Sequence, residues 1–416
     1  MSPEPLSSEA FAQRVRFVSL LARRLHQYGT AAQRLEAAIE AVGTRLGLAV
    51  EVWSNPTGIL LSFSDPARGE DALAEYTQVI RLDPGENDLR RLCEVDRIAY
   101  RVREGELGIV EGTKLLRELA PRGSRRLRFA IALGHGVAAA AVAALLKTGW
   151  IDIAVAACIG TLIGFLGWAT QGSKRWAPGY EALSALLAGF VVAWFSAKVQ
   201  PIAVNSVLIS SLIVLVPGLM LTTAVNELAN QQLVAGSARF AGAAAILLKL
   251  AFGTVAGLEL ARALGYASVS IKSVPVPLWT EWAALGLACL NFALLFKAAP
   301  RDIPVVALAA MLGYVTTRVA GAAQGAEFGV FMAGLVVGMA ANAYARWRRR
   351  PGALVRVPGI ILLVPGSVGF RSLFFVFEGN VERGLDTAIS VLALLLSLVA
   401  GLLFANVLVA PRKTLS

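Results

Sequence analysis

From residue 129 to residue 410 the chain is a succession of apolar segments about 20 residues long, the length that crosses ~30 Å of hydrocarbon as a helix. They fall at 129–147, 151–170, 180–197, 202–224, 238–264, 277–299, 303–322, 326–346, 354–376 and 386–410. Backbone polar groups in hydrocarbon must pair within their own segment, so such a series leaves room for a helical bundle and little else. The expectation is ten transmembrane helices. With 56% hydrophobic and 16% charged residues, the composition fits a polytopic membrane protein rather than a large soluble one.

Charge divides unevenly. Residues 1–120 carry 15 Lys and Arg against 18 Asp and Glu, net −3, whereas residues 121–416 carry 24 against 10, net +14. An N-terminus on the cytoplasmic side puts sixteen flanking cations inside and seven outside, which supports an even number of spans with both termini cytoplasmic in the cell (inner) membrane. The basic balance is therefore a membrane signature and not a nucleic-acid one. Trp150, Trp176, Trp279 and Trp347 stand at span ends, as interfacial aromatics do. Three cysteines, Cys93, Cys158 and Cys289, are too scattered for disulfides or zinc, the latter two reading as packing residues; neither a metal nor a cofactor is expected.

Residues 1–120 read as a small α/β domain. Helical periodicity covers 9–27 and 30–46, β-prone runs follow at LAVEVW, GILLSF and TQVIRL, and helices are expected over 87–103 and 106–119. Its chemistry is thin. Asp65, Glu70, Asp71 and Glu75 could serve as an acid–base pair but read more simply as solvated loop acids, and His26 and Cys93 suggest neither a triad nor a metal site. PRGSRRLR, residues 121–128, marks the boundary and a cytoplasmic anchor.

Inside the fourth and ninth spans the tetrapeptide LVPG recurs, at Leu215–Gly218 and Leu363–Gly366, an offset of 148 shared by Gly236 and Gly384. Proline without an N–H and a following glycine break a helix and leave free N–H groups at the restart. Each break lies in the fourth of five spans in its half. Five is odd, so duplicated halves, residues 121–264 and 277–410, would sit in opposite orientations as two inverted five-helix repeats, bringing two broken helices to a shared midplane. Two unrelated breaks in a bundle without transport is the alternative.

The chain resembles the threonine/serine exporter family over almost its whole length. LLARRLHQYGTAAQRLEAAIEAVGTRLGL and VEVWSNPTGILLSF carry the resemblance in the first part, LVPGLMLTTAVNELANQQLVAGSAR and VPGIILLVPGSVGF in the spans. It implies a cytosolic domain fused to ten spans and export of threonine and serine driven by the proton-motive force. Where the family commonly has an aspartate after the first Pro-Gly, this chain has Glu227, which keeps the carboxylate with a longer reach. Relatives with the halves on separate chains export dicarboxylates, which leaves succinate-like substrates as an alternative. A membrane-anchored sensor or hydrolase acting through residues 1–120 is the alternative from another class.

An exported amino acid needs its carboxylate and its ammonium bound together. Free N–H groups after Pro217-Gly218 and Pro365-Gly366 suit the first. Thr222, Thr223, Asn226 and Glu227 lie on one helical face, and Glu227 is the candidate for the ammonium and for exchanging a proton with substrate. In the second half Ser367, Arg371 and Glu378 share a stripe, Arg371 either anchoring a carboxylate or pairing with Glu378. Lys249 falls mid-span, where an ammonium needs a partner; Glu227 and Glu259 are the nearest acids, and Lys249 and Glu378 join Glu227 as proton-coupling candidates. His135 reads as a hydrogen-bonded structural residue, Asn291 and Asn342 as interhelical hydrogen-bonding residues, and Asn205 as one that lines the path. The expected partners are a small amino acid, protons and the lipid bilayer; the sequence is compatible with a homo-oligomer.

Overall fold

The computed structural model describes residues 5–68, 74–119, 123–173, 175–271 and 274–411. Of the residues weighed above, Glu70, Asp71, Arg122, Lys174, Lys272, Arg412 and Lys413 lie outside that range. The first part runs α1 (Ser8–Gln27), α2 (Ala32–Arg45), β1 (Ala49–Asn55), β2 (Gly58–Ser64), β3 (Tyr76–Arg81), α3 (Leu89–Arg103) and α4 (Ile109–Glu118). The strands form one antiparallel sheet in the order β1-β2-β3, and pairing Asn55 with Gly58 leaves Pro56-Thr57 as its tight first turn. That register turns Ile59, Leu61 and Phe63 of β2 to one face, where they bury against Phe17, Leu21, Leu25 and Ile39. Ser7 caps α1 and Asp88 caps α3, each accepting a first-turn N–H. Asp65 accepts the N–H groups of Leu6 and Ala67, and Glu75 pairs with Arg68, so neither is poised as an acid or base.

The remainder is helical: α5 (Arg125–Leu145), α6 (Trp150–Thr170), α7 (Tyr180–Lys198), α8 (Val204–Leu212), α9 (Gly218–Ala229), α10 (Leu233–Ala263), α11 (Trp279–Leu295), α12 (Ile303–Gln324), α13 (Ala326–Arg348), α14 (Ala353–Ile361), α15 (Gly366–Phe377) and α16 (Val381–Leu408). Among the described residues, eight helical segments are long and apolar enough to cross a membrane, which makes the chain polytopic. Two of the ten expected segments fall short. The one at 202–224 is divided by Pro217 into α8 and α9, of 9 and 12 residues. The one at 277–299 contracts to the 17 residues of α11, because Pro275 and Pro277 hold the approaching chain extended. Cys289 is buried as a packing residue, but Cys158 is exposed on the outside of the bundle.

Contacts define two ends. At the near end the first part docks: Leu89 and Arg90 donate their N–H groups to the carbonyls of Phe296 and Lys297, Lys297 pairs with Glu86 at 2.7 Å, and Gln232 donates to Glu36 at 2.6 Å. At the far end Val276 N–H donates to Thr148, Ile271 to Ile202, and Ala203 to the Asp152 carboxylate at 2.9 Å. Some local features recur in both halves. Gly236 on α10 lies so close to α9 that an added Cβ would stand 2.9 Å from the Ala224 carbonyl, and Gly384 on α16 would meet Ser372 of α15 at 3.0 Å. Both pairs are offset by the 148 residues that separate the LVPG motifs. Asp152, at the head of α6, holds the residue before α8; Asp302, at the head of α12, is held by Arg350, just before α14.

Candidate functional site

Pro217 and Pro365 cap α9 and α15, whose first residues are Gly218 and Gly366. The two breaks meet. A Cβ on Gly218 would stand 2.7 Å from Val364 Cγ1, and one on Gly366 would stand 2.7 Å from Val216 Cγ1 and 3.0 Å from the Cα of Gly218. Each break thus seats the valine before the other's proline, and only glycine leaves room for it.

Proline cannot donate to Ile213 or Ile361, and the disturbance spreads. Gly218 N–H turns back to Val216 at 2.8 Å, and α9 begins its ladder only with Leu221 N–H on Pro217. Among the described residues the carbonyls of Ile213, Val214 and Leu215 and the N–H groups of Leu219 and Met220 make no backbone hydrogen bond. At the second break the same holds for the carbonyls of Ile361 and Leu362 and the N–H groups of Ser367 and Val368. Donors and acceptors therefore stand side by side at each break, and buried groups of this kind seek partners.

Pro217, Gly218, Gly366 and Ser367 line one cavity of about 2360 Å³, which reaches from Asp88 and Arg128 at the near end to Tyr314 on α12. His135 and Asn291 also line it. His135 donates from Nδ1 to the Ile131 carbonyl at 2.8 Å, presenting Nε2 as an acceptor, and Asn291 donates to Gly134 at 2.9 Å across α5 and α11. The near end of the chamber is lined by charged side chains, among them Asp88, Arg90, Arg91, Glu94 and Arg128, and its deeper part by the breaks and a few polar side chains, a setting that can hold a small zwitterion.

A family model described as threonine/serine exporter matches residues 16–261, and a second of the same description matches residues 282–408. The chain belongs to the threonine/serine exporter family. Curated relatives include Pheromone-regulated membrane protein 10 of Saccharomyces cerevisiae, 25% identical over 86% of this chain and 47% of its own length. Its counterpart in Eremothecium gossypii is 25% identical over 91% of this chain and 52% of its own, and Uncharacterized protein C16A10.01 of Schizosaccharomyces pombe is 23% identical over 91% and 46%. The chain thus spans about half the length of these relatives. No solved structure matches.

The remaining candidates in this member of the family stand away from the cavity. Thr222 and Thr223 turn their hydroxyls onto the carbonyls of Gly218 and Leu219 in their own helix, and Asn226 offers its carbonyl to Asn230. Glu227 is buried outside the cavity lining, its carboxylate bonded to Arg239 at 2.9 and 3.1 Å and to the Ala32 N–H at 3.2 Å. Lys249 does not reach Glu227 or Glu259: it pairs with Glu181 of α7 at 3.6 Å and donates to the Pro178 carbonyl at 3.1 Å, while Glu259 takes Arg262. Arg371 makes no ion pair with Glu378 among the described residues; it lies over the Phe375 ring at 5.8 Å. Glu378 falls on the exposed C-cap of α15, its N–H still bonded to the Phe374 carbonyl, and it does not line the cavity. Asn205 is exposed, and Asn342 ties α13 to Asn406 and Arg356.

Two charged groupings carry no local signal. Neither Arg239 nor Glu281 stands out in the sequence, yet each pairs with a residue from another helix: Arg239 with the buried Glu227, and Glu281, itself 10% exposed, with the half-exposed Arg318. Helix packing creates both.

Proposed function

We propose that this chain exports small hydroxylated amino acids of the threonine and serine class, coupled to the proton-motive force, by alternating access around the two Pro-Gly breaks. The meeting of both breaks at one cavity carries this reading. The N–H groups of Leu219 and Met220, or of Ser367 and Val368, suit the substrate carboxylate, and the carbonyls of Ile213, Val214 and Leu215 suit its ammonium. Ser367, which lines the cavity, suits the substrate hydroxyl. Ten crossings as two inverted five-helix repeats, with both termini cytoplasmic in the inner membrane, accord with the offset of 148 and with the matched Asp152 and Asp302 contacts.

Export of dicarboxylates is the second reading, favoured by the presence of a donor set at each break, one per carboxylate. Vesicles loaded with labelled threonine or succinate, with and without a pH gradient, separate the two. Gradient-dependent threonine efflux is expected; none of either substrate would sink the exporter reading. A sensing role for the first part is favoured by its separate cavity of about 540 Å³ between α1 and β3, where Arg16, Arg23, Arg68 and Arg117 gather. Efflux that survives deletion of residues 1–120 would make that role accessory to transport.

A further inference from the structure

Toward the far side the cavity is lined by Val142 and Leu145 of α5 and Tyr314 of α12, and Tyr314 touches a charge cluster that the transport site leaves unused. Its phenolic O–H donates to Glu281 at 2.8 Å and accepts from Arg318 at 3.1 Å, one helical turn further along α12. Arg318 also pairs directly with Glu281, and Lys147, just past α5, approaches the same carboxylate at 4.0 Å. The Glu281 side chain is only 10% exposed, whereas Lys147 and Arg318 are 52% and 51% exposed. A buried carboxylate therefore has cation partners that reach water at the far end and a hydroxyl partner that reaches the cavity.

Its depth follows from the shortness of α11. Seventeen residues span about 25 Å, less than the ~30 Å of hydrocarbon, so a helix reaching the near end at Phe296 begins below the far surface. Among the described residues, the elements packed against Glu281 bring no other charge to it: α12 contributes Arg318 and Tyr314, the end of α5 contributes Lys147, and the arginine of α14, Arg356, turns to Asn342. Removing the negative charge would leave two cations facing each other across α11.

We propose that Glu281 is the proton-binding carboxylate of a gate at the far end of the cavity, a proposal that rests on the exporter reading. Ionised, Glu281 holds Arg318, Lys147 and Tyr314 together and seals the chamber there while it is open to the near end. A proton from hydronium at the far end adds to a Glu281 oxygen, leaving water and a neutral carboxyl. Both ion pairs are then lost, Arg318 and Lys147 repel, and the far end opens for substrate to leave. When the chamber reopens to the near end, the proton passes to water in the cavity beside Tyr314, and the ion pairs re-form. One proton thus enters for each turn of the gate. Glu227, Lys249 and Glu378 have no such position between the chamber and the far side.

The test uses the full chain in vesicles. Glu281→Gln keeps an acceptor for Tyr314 but cannot lose a charge. It is expected to lower pH-gradient-driven threonine efflux at least tenfold while threonine exchange at equal pH continues, with Glu281→Asp restoring part of the gradient response. Undiminished gradient stimulation in Glu281→Gln overturns the proposal. A second readout needs no transport. Ser367→Cys, in the cavity of a chain carrying Cys158→Ser, is labelled from the far side by a membrane-impermeant thiol reagent, each rate being divided by that of a free thiol at the same pH because only the thiolate reacts; the corrected rate is expected to rise several-fold at acid pH and to be high at all pH in the Glu281→Gln background. Labelling indifferent to both removes the gate. If labelling responds as expected but neither threonine nor succinate moves, the exporter reading fails and the gate stands. Should Glu281→Gln not reach the membrane, the pH dependence of labelling in the Ser367→Cys chain decides alone.

Discussion

Glu227 and Arg239 form a two-point ion pair inside the protein, with carboxylate oxygens 2.9 and 3.1 Å from the guanidinium Nε and Nη2. Glu227 is 1% exposed, and the same carboxylate accepts the N–H of Ala32, the first residue of α2. One side chain therefore joins the helix restarting after the first break, the long helix that follows it, and the N-terminal helices docked at the near end.

Removing either partner leaves the other charge buried and uncompensated. Glu227→Gln is expected to cost about 3–5 kcal/mol of stability, and Glu227→Gln with Arg239→Leu less than the sum of the single changes. Thermal unfolding in detergent at constant pH measures both. A Glu227→Gln chain of full stability whose efflux ignores the pH gradient would return this carboxylate to the transport step.

The crossing of the breaks depends on glycine. Gly218→Ala puts a Cβ against Val364, and Gly366→Ala puts one against Val216 and the Gly218 backbone, so each is expected to cost about 1–3 kcal/mol and to abolish efflux. Val364→Ala in the Gly218→Ala background opens the space that the new methyl fills and is expected to restore part of both. It offers no such relief to Gly366→Ala, whose clash is with Val216 and backbone; equal rescue of the two would mean that the breaks do not touch as described.

His26 makes the near-end unit sensitive to acid. Its Nε2 donates to the Asn55 carbonyl at 3.1 Å, and its Nδ1 is buried without a partner. Burial pushes the imidazole below its ordinary value of 6.5, with Arg239 adding to the effect. The folded chain then binds this proton less readily than the unfolded one, so stability is full above 6.5 and declines as pH falls below it, by on the order of 1 kcal/mol per pH unit at most. His26→Asn is expected to flatten the fall in melting temperature between pH 7.5 and 5.5. An identical slope in wild type and variant would show that other groups control it.

How much of this was legible depends on the range of the interaction involved. The three strands, the four N-terminal helices and both breaks follow from local rules: side-chain alternation, helical periodicity, and what proline and glycine do to a backbone wherever they stand. Where residues read as one site lie apart in the fold, the cause is the same. Thr222, Thr223, Asn226 and Glu227 do share a helical face, but which neighbour that face meets is set by how α9 rolls against α10 and α2, and it rolled away from the cavity. Arg371 and Glu378 have the spacing of a stripe, yet Arg371 lies over the Phe375 ring and Glu378 stands exposed at the C-cap of α15. Lys249 had to find a partner in the bilayer, and the packing of α7 on α10 supplied Glu181.

The sequence by itself determined that this chain crosses a membrane many times and breaks two of its helices at LVPG, because apolar length and the missing proline N–H act within a few residues. Only the tertiary structure decided that the two breaks touch, that Glu227 belongs to Arg239, and that Glu281, Tyr314 and Arg318 stand together beside the cavity. Those pairings join residues from different helices, and the rotation and depth of each helix, fixed by packing over its whole length, choose which charges meet.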